Sequence, residues 1–105
     1  MASFEDFKKL EIKVGKILEV NDHPNADKLY ILKVNTGEER TIVAGIKNSY
    51  SKEKLIGKKI IVVCNLEEKE LRGVKSQGML LAAPNKNKYI LLTTDKDVEE
   101  GSRVG

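Results

Sequence analysis

The chain has 105 residues, with 19 basic and 16 acidic side chains and a net charge of +3. This length is typical of one domain, and no apolar stretch reaches the 18 residues expected of a membrane span. The single cysteine, Cys64, excludes an internal disulfide. The net charge is too small to identify a nucleic-acid partner by itself.

The charge is unevenly distributed along the chain. Residues 95–100 carry −3, so the other residues together carry +6. A moderately basic body with an acidic end is compatible with RNA binding, although many small basic domains share this pattern. The first ten residues contain acidic side chains where a signal peptide needs an apolar segment. Together with the lone cysteine, this predicts a cytoplasmic protein.

The apolar pattern predicts a short helix followed by strands. Ser3 and Asp6 fit a capping box for a helix or turn over 4–10, whose inner face would carry Phe4, Phe7 and Leu10. From residue 12 apolar residues alternate as in a long strand, in which Gly15 predicts a bulge or sharp bend. The remaining elements are strands over 29–34, 40–44, 59–64, 78–83 and 89–93, and a helical turn within 48–56 that ends at Gly57.

The first five of these strands, with one short helix between the third and fourth, have the order of an OB-fold barrel. Closing the sheet removes its exposed edges, which suits a chain of this length. We therefore predict an all-β, single-domain protein with an N-terminal helix or arm over 1–11, a barrel over 12–83 and a C-terminal extension over 84–105. The extension is too short to fold alone, so it packs either on the barrel or against a second copy of the chain.

A polar loop joins the two apolar runs within residues 63–83. It supplies donors that suit phosphates and base edges: Asn65, Lys69, Arg72, Lys75, Ser76 and Gln77. No pair among them forms an obvious nucleophile and base, and the chain lacks the GxxxxGK[ST] and GxGxxG spacings of nucleotide-binding loops. His23 and Cys64 cannot supply the three or four ligands of a metal site. The loop predicts a protein that holds a polyanion, without catalysis, cofactor or metal.

Five fragments in this order resemble one known family. They are His-Pro-Asn-Ala-Asp-Lys-Leu (23–29), Arg-Thr-Ile-Val-Ala-Gly (40–45), Leu-Ile-Gly-Lys-Lys-Ile (55–60), Asn-Leu (65–66) and Arg-Gly-Val-Lys-Ser-Gln-Gly-Met (72–79). Together they resemble the tRNA-binding domain found at the C-terminus of many methionyl-tRNA synthetases, in free-standing tRNA-binding proteins and in the endothelial monocyte-activating polypeptide.

The resemblance implies a non-catalytic OB-fold that recognises the shape of tRNA. In free-standing members it also implies a homodimer, here through residues 84–105. The sequence contains no synthetase body, so we expect a form similar to the small β chain that accompanies some methionyl-tRNA synthetases. The synthetase catalytic chain would then be a second partner.

The predicted RNA-binding set has eight members: Lys28, Arg40, Asn65, Lys69, Arg72, Lys75, Ser76 and Met79. Arg72 and Lys75 would meet phosphates, Arg72 through its two-pronged guanidinium, unless they only form a solvated loop face. Asn65 could pair with a base edge or a sugar hydroxyl, or it could cap the loop by bonding backbone.

The other members of the set have weaker signals. Ser76 and Met79 match positions that the family uses for tRNA contact, although a methionine that opens a strand is more often a core residue. Lys28 would lie at the mouth of the barrel and Arg40 on a neighbouring strand, where OB-folds bind oligonucleotides. His23 is expected only to be part of the turn over 21–27.

The loop departs from the family in its charge. The family often has Lys and Pro after the Asn-Leu pair, where this chain has Glu67 and Glu68, with Glu70 beyond them. These carboxylates would repel phosphates, so we expect weaker tRNA binding than a basic loop would give. Two alternatives stay open: a peptide-binding, export-related chaperone with the same barrel, and a dimerisation or docking module whose RNA surface has decayed.

Overall fold

The computed structural model describes all 105 residues. It contains two short helices and nine strands, in the order α1 (Phe4–Lys8), β1 (Ile12–Asp22), β2 (Tyr30–Asn35), β3 (Glu39–Ala44), α2 (Lys52–Leu55), β4 (Lys59–Val63), β5 (Lys69–Leu71), β6 (Val74–Ser76), β7 (Met79–Leu80), β8 (Ala82–Asn85) and β9 (Lys88–Leu91). The predicted all-β barrel, with its small helix between the third and fourth strands, is confirmed. No helix is long or apolar enough to cross a membrane.

The main sheet has the strand order β3-β2-β1-β4-β7, and every pairing within it is antiparallel. β1 is long enough to pair with β4 along its first half and with β2 along its second half. Its register with β2 shifts between Ile17 and Glu19. Gly15, where we expected a bulge, instead pairs regularly with Ile60. A Cβ at Gly15 would lie 2.6 Å from Val34 Cγ1, so the glycine permits close packing inside the barrel.

Side chains close the gap between β3 and β7. The Thr41 amide donates to Gln77 Oε1 at 2.9 Å, while the Gln77 amide donates to the Thr41 carbonyl at 2.8 Å. The Val43 amide donates to Ser76 Oγ at 3.0 Å, and that hydroxyl donates to the Gly78 carbonyl at 2.9 Å. These bonds satisfy backbone groups that no strand ladder reaches, and they bring the ends of the sheet together.

The barrel interior is filled by aliphatic side chains from the main strands and α2. Its fully buried members include Ile17, Leu32, Val34, Ile42, Leu55, Ile60 and Val62. α2 contributes Leu55, and Gly57 follows the helix with a φ of +85°, a conformation that favours glycine at a helix end. The core therefore lies inside the five-stranded barrel, and α2 packs on it through Leu55.

The C-terminal residues run along the free side of the first half of β1. The Gly101 amide donates to the Val14 carbonyl at 2.7 Å, and the Val104 amide donates to the Ile12 carbonyl at 2.8 Å. The Lys59 ammonium lies 3.2 Å from Asp97 and 3.3 Å from Glu100. These contacts attach the acidic tail to its own barrel.

The pKa shifts of Lys59 and Glu100 have the directions expected of an ion pair between them. Burial lowers the pKa of Lys59, but hydrogen bonds to Asp97 and Glu100 outweigh it, so that the pKa is raised overall. The pKa of Glu100 is lowered by a backbone hydrogen bond and by Lys59. Both groups therefore stay charged over the neutral pH range.

The N-terminal arm begins with the expected capping box. The Asp6 amide donates to Ser3 Oγ at 3.1 Å, and the Ser3 amide donates to the Asp6 carboxylate at 3.2 Å. The helix buries none of its residues. Phe4 and Phe7, which we expected on an inner face, are exposed and border a shallow depression with Val104.

Candidate nucleic-acid interface

The segment predicted as a polar loop folds largely as a hairpin. β5 and β6 pair antiparallel, and Arg72 and Gly73 form the two-residue turn between them. Both turn residues have positive φ, +55° for Arg72 and +92° for Gly73. Positive φ at both central residues is typical of a type I′ turn, which matches the twist of a hairpin. Residues 69–76, which we expected to lie in a polar loop, therefore form a β-hairpin.

The hairpin presents three exposed basic side chains: Lys69, Arg72 and Lys75. None of them lies within 4 Å of a carboxylate, whereas Lys33, Lys47, Lys52 and Lys59 all form ion pairs. Lys28, on the loop between β1 and β2, is also exposed and unpaired. Glu70 lies opposite Lys75 in the β5–β6 ladder, but none of these four cations forms an ion pair, so all four are available to an anionic partner.

His23 connects the loop after β1 to this hairpin. The Asn25 amide donates to His23 Nδ1 at 3.0 Å, so Nδ1 is an acceptor and the proton lies on Nε2. Nε2 donates to the Leu71 carbonyl, 2.9 Å away, at the end of β5. The imidazole is only 5% exposed. His23 is therefore part of the expected turn and also fixes the position of the hairpin relative to Lys28.

The loop that carries His23 is also anchored by ion pairs. Asp22 lies 2.9 Å from the Lys52 ammonium and 3.0 Å from that of Lys47. Hydrogen bonds from Lys52 and then Lys47 lower the pKa of Asp22 below its ordinary value. These ion pairs attach the end of β1 to the region of α2, and they hold the backbone next to His23 in position.

We expect His23→Ala to loosen the hairpin without unfolding the barrel. The change removes the side chain that bonds both Asn25 and Leu71, while the sheet ladders remain intact. Amide hydrogen exchange should rise in residues 69–76 and stay unchanged in β1 to β4. Tyr50→Phe is a suitable control, because it removes a buried hydroxyl bonded to the Leu91 amide on another hairpin. Equal exchange in wild type and His23→Ala would contradict the connecting role.

Three members of the predicted RNA-binding set make hydrogen bonds within the protein. Asn65 Oδ1 accepts from the Glu11 amide at 2.7 Å, and its Nδ2 donates to the Lys9 carbonyl at 2.6 Å. Ser76 is buried, and its hydroxyl accepts from the Val43 amide and donates to the Gly78 carbonyl where β3 and β7 meet. Asn65 bonds backbone, as its alternative interpretation proposed, but the backbone is that of the N-terminal arm. RNA contact by these two residues stays a prediction.

Arg40 is the third of these residues. Its guanidinium donates to the carbonyls of Cys64 and Gln77 at 3.0 and 3.1 Å, and to Thr36 Oγ1 at 3.0 Å. It also lies 2.6 Å from the Glu38 carboxylate, and its side chain is 15% exposed. Arg40 therefore ties β3 to the end of β4 and to the segment before β7, and its contact with RNA stays a prediction.

Met79 is half exposed and borders a cleft beside the hairpin. The cleft has a volume of about 530 Å³. Val43, Ala44 and Ile46 line it on one side, and it lies between the hairpins β5–β6 and β8–β9, as shown by Leu71 and Tyr89 in its walls. The structure thus brings Lys69 and Met79 to one site, next to Arg72 and Lys75, while Arg40 and Asn65 lie in the internal contacts described above.

Most of the chain matches one known protein family. The family described as "Putative tRNA binding domain" matches residues 12–103, which include the barrel, both hairpins and most of the tail. The chain belongs to this tRNA-binding family. The matched range includes all five of the fragments that carried the resemblance in the sequence.

Individual relatives agree with this membership. The chain is 60% identical over 102 residues to a methionine–tRNA ligase of Pyrococcus horikoshii, a match that covers 96% of this chain and 14% of the ligase. A solved MetRS-related protein from Pyrococcus horikoshii superposes with a TM-score of 0.91 at 39% identity, covering 100% of this chain and 98% of that one. A CsaA chaperone protein from Picrophilus torridus gives 0.92 at 37% identity, with both chains fully covered.

The relatives differ in length and in name. The chain spans about one seventh of the curated ligases that it matches, 14% of the first of them. It corresponds throughout its length to two small proteins, one named for a synthetase and the other for a chaperone. Proteins of this fold thus include one described as related to a synthetase and one described as a chaperone.

Proposed function

We propose that this chain is a non-catalytic module that binds tRNA through its shape, as an accessory β subunit or an appended domain of a methionyl-tRNA synthetase in the cytoplasm. The observation that carries the proposal is the set of exposed, unpaired cations on the β5–β6 hairpin, which His23 bonds to the loop that contains Lys28. Cations on a fixed element can meet phosphates at set positions, which recognises shape without reading bases.

Such a module would assist a synthetase without taking part in its chemistry. A weak contact that is linked to the catalytic chain acts at high effective concentration, so modest affinity is sufficient. The match to methionine–tRNA ligases supports this choice of partner. The tRNA would be held near the synthetase while the catalytic chain performs aminoacylation.

A titration of the purified chain with bulk tRNA at low and at physiological salt tests the proposal. We expect binding that weakens about tenfold or more over this range, because each neutralised phosphate releases counterions. Binding that is insensitive to salt, or no binding at either salt, would contradict it.

The second candidate is a peptide-binding module, favoured by the apolar cleft and by the similarity to the CsaA chaperone protein. An apolar peptide would bind through burial of nonpolar surface and not through phosphate contacts. Its affinity should change little between the same two salt concentrations. A titration with an uncharged apolar peptide, run beside the tRNA titration, therefore separates the two functions.

We expect the double variant Glu67→Lys/Glu68→Pro to bind tRNA more tightly than the native chain. Both carboxylates are exposed, and Glu67 borders the same cleft as Lys69. Exchanging two negative charges for one positive charge removes repulsion and adds a phosphate partner, which should raise affinity about tenfold at low salt. The control is Asp95→Lys/Glu99→Gln, which makes the same change of net charge at two exposed sites on the tail. Equal affinities for the native chain and the loop variant would refute the prediction.

We also propose that the chain forms a homodimer through the face that joins its two ends. Exposed Phe4 and Phe7 from the N-terminal arm lie beside Val104 of the tail there. Removing 84–105 is a poor test, since the tail bonds to β1. Instead, Phe4→Glu/Phe7→Glu should convert a dimer to a monomer in sedimentation equilibrium, with the thermal midpoint of the barrel retained. A monomer mass for the native chain at all concentrations would exclude the dimer.

A further inference from the structure

The apolar part of the cleft between the two hairpins is not used by the proposed phosphate contacts, although Lys69 lies in its lining. Its walls are mostly apolar and include Leu66, Leu71, Met79, Leu81 and Tyr89. Leu66, Met79 and Tyr89 are each between 41% and 51% exposed, so the apolar surface is open to solvent. Its volume of about 530 Å³ lies within the usual range for sites that hold small organic groups.

Unpaired cations lie on both of the hairpins that border the cleft. Lys69 lines the cleft itself, Arg72 and Lys75 lie elsewhere on β5–β6, and Lys86 and Lys88 lie on β8–β9. All five are exposed and none forms an ion pair. Three carboxylates lie nearby, Glu67, Glu68 and Glu70, so the basic groups remain in excess around the opening. An apolar cleft with cations on both sides is complementary to a group that is flat and apolar at its centre and anionic at its two ends.

We propose that the cleft holds one unpaired nucleobase of a bound RNA, with the phosphates on either side of that nucleotide lying on the two hairpins. This inference rests on the proposed tRNA-binding function and names the part of the RNA that it engages. Tyr89 offers a ring face for stacking, and Met79 offers a polarizable surface. A base within a duplex is stacked on its neighbours and cannot enter, so the cleft selects single-stranded positions.

The two methionines of the chain make a direct test possible. Met1 and Met79 are the only ones, so a chain labelled with ¹³C at the methionine methyls gives two methyl signals, and ¹⁵N labelling of the same chain reports its backbone amides. The probes are a short single-stranded RNA and a blunt-ended RNA duplex with the same number of phosphates. We expect the single strand to shift the Met79 methyl signal upfield, because an aromatic base lies against it. The duplex should shift only backbone amides of the β5–β6 hairpin, and Met1 should not respond to either.

Two neighbouring residues of β9 provide matched variants for the affinity measurement. Tyr89 lines the cleft, whereas Ile90 is similarly exposed but does not line it. We expect Tyr89→Ala to weaken binding of the single strand about tenfold and to leave duplex binding unchanged. Ile90→Ala should leave both unchanged. The thermal midpoints of both variants establish that β8–β9 remains folded.

The outcomes separate this inference from the function on which it rests. If both RNAs shift hairpin amides but neither moves the Met79 signal, tRNA binding stands and the base-binding cleft is overturned. If an uncharged apolar peptide moves the Met79 signal and the single strand does not, the cleft is a peptide site and the inference is again overturned. If neither RNA produces any shift while bulk tRNA still binds in the titration, the inference is overturned and the proposed function stands. If bulk tRNA does not bind either, both fail.

Discussion

Replacing Arg40 by methionine should destabilise the protein strongly. The guanidinium donates to two carbonyls, those of Cys64 and Gln77, and to the Thr36 hydroxyl. Methionine keeps most of the aliphatic length but has no donor. The carbonyls would lose charged hydrogen bonds in a largely buried place, and we expect the free energy of unfolding to fall by about 3 kcal/mol. Denaturant titration followed by circular dichroism measures this quantity.

The neighbouring strand provides the control for this variant. Lys33→Met also removes one positive charge, but Lys33 is exposed and has a single ion pair with Glu39 at 3.5 Å. Exposed pairs of this kind contribute about 0 to 1 kcal/mol, so the control should remain close to wild type. If Arg40→Met kept its stability and lost only tRNA affinity, Arg40 would be an RNA contact and not a structural residue.

The sequence predicted the barrel well because its strands carry a local signal. Apolar residues such as Val14, Leu32 and Ile60 alternate or cluster within single strands, so each strand could be found without knowing its partners. The β5–β6 hairpin was missed because Leu71 and Val74 are its only apolar residues, too few to show an alternation. The Arg72-Gly73 pair was its one signal, since glycine is common in turns of positive φ.

The roles of single polar residues were harder to predict from sequence. Arg40 and its two carbonyl partners are 24 and 37 residues apart along the chain. His23 and Leu71 are separated by 48 residues. No local pattern encodes contacts over such distances; they depend on how the closed sheet brings its strands together. The family resemblance drew attention to this hairpin, but it could not separate residues that face solvent from those that hold the barrel closed.

The hairpin cations should dominate tRNA affinity, and the backbone at Arg72 decides how this is tested. Arg72 has a φ of +55°, a conformation that asparagine tolerates better than most residues. Arg72→Ala would therefore combine loss of charge with backbone strain, whereas Arg72→Asn removes the charge and keeps the turn. The informative variant is Arg72→Asn/Lys75→Gln.

We expect this double variant to bind tRNA about tenfold more weakly at low salt, and the slope of log K against log salt to fall by about 2, because two phosphate contacts are lost. Lys54→Gln/Lys96→Gln is the matched control, since it removes the same charge from two exposed, unpaired lysines away from the hairpin. Its salt slope should equal that of the native chain. If the two variants lost affinity equally, tRNA would respond only to total charge, and the hairpin would have no special part in binding. A loss confined to the hairpin variant would instead mean that the turn between β5 and β6 positions two cations on the tRNA backbone.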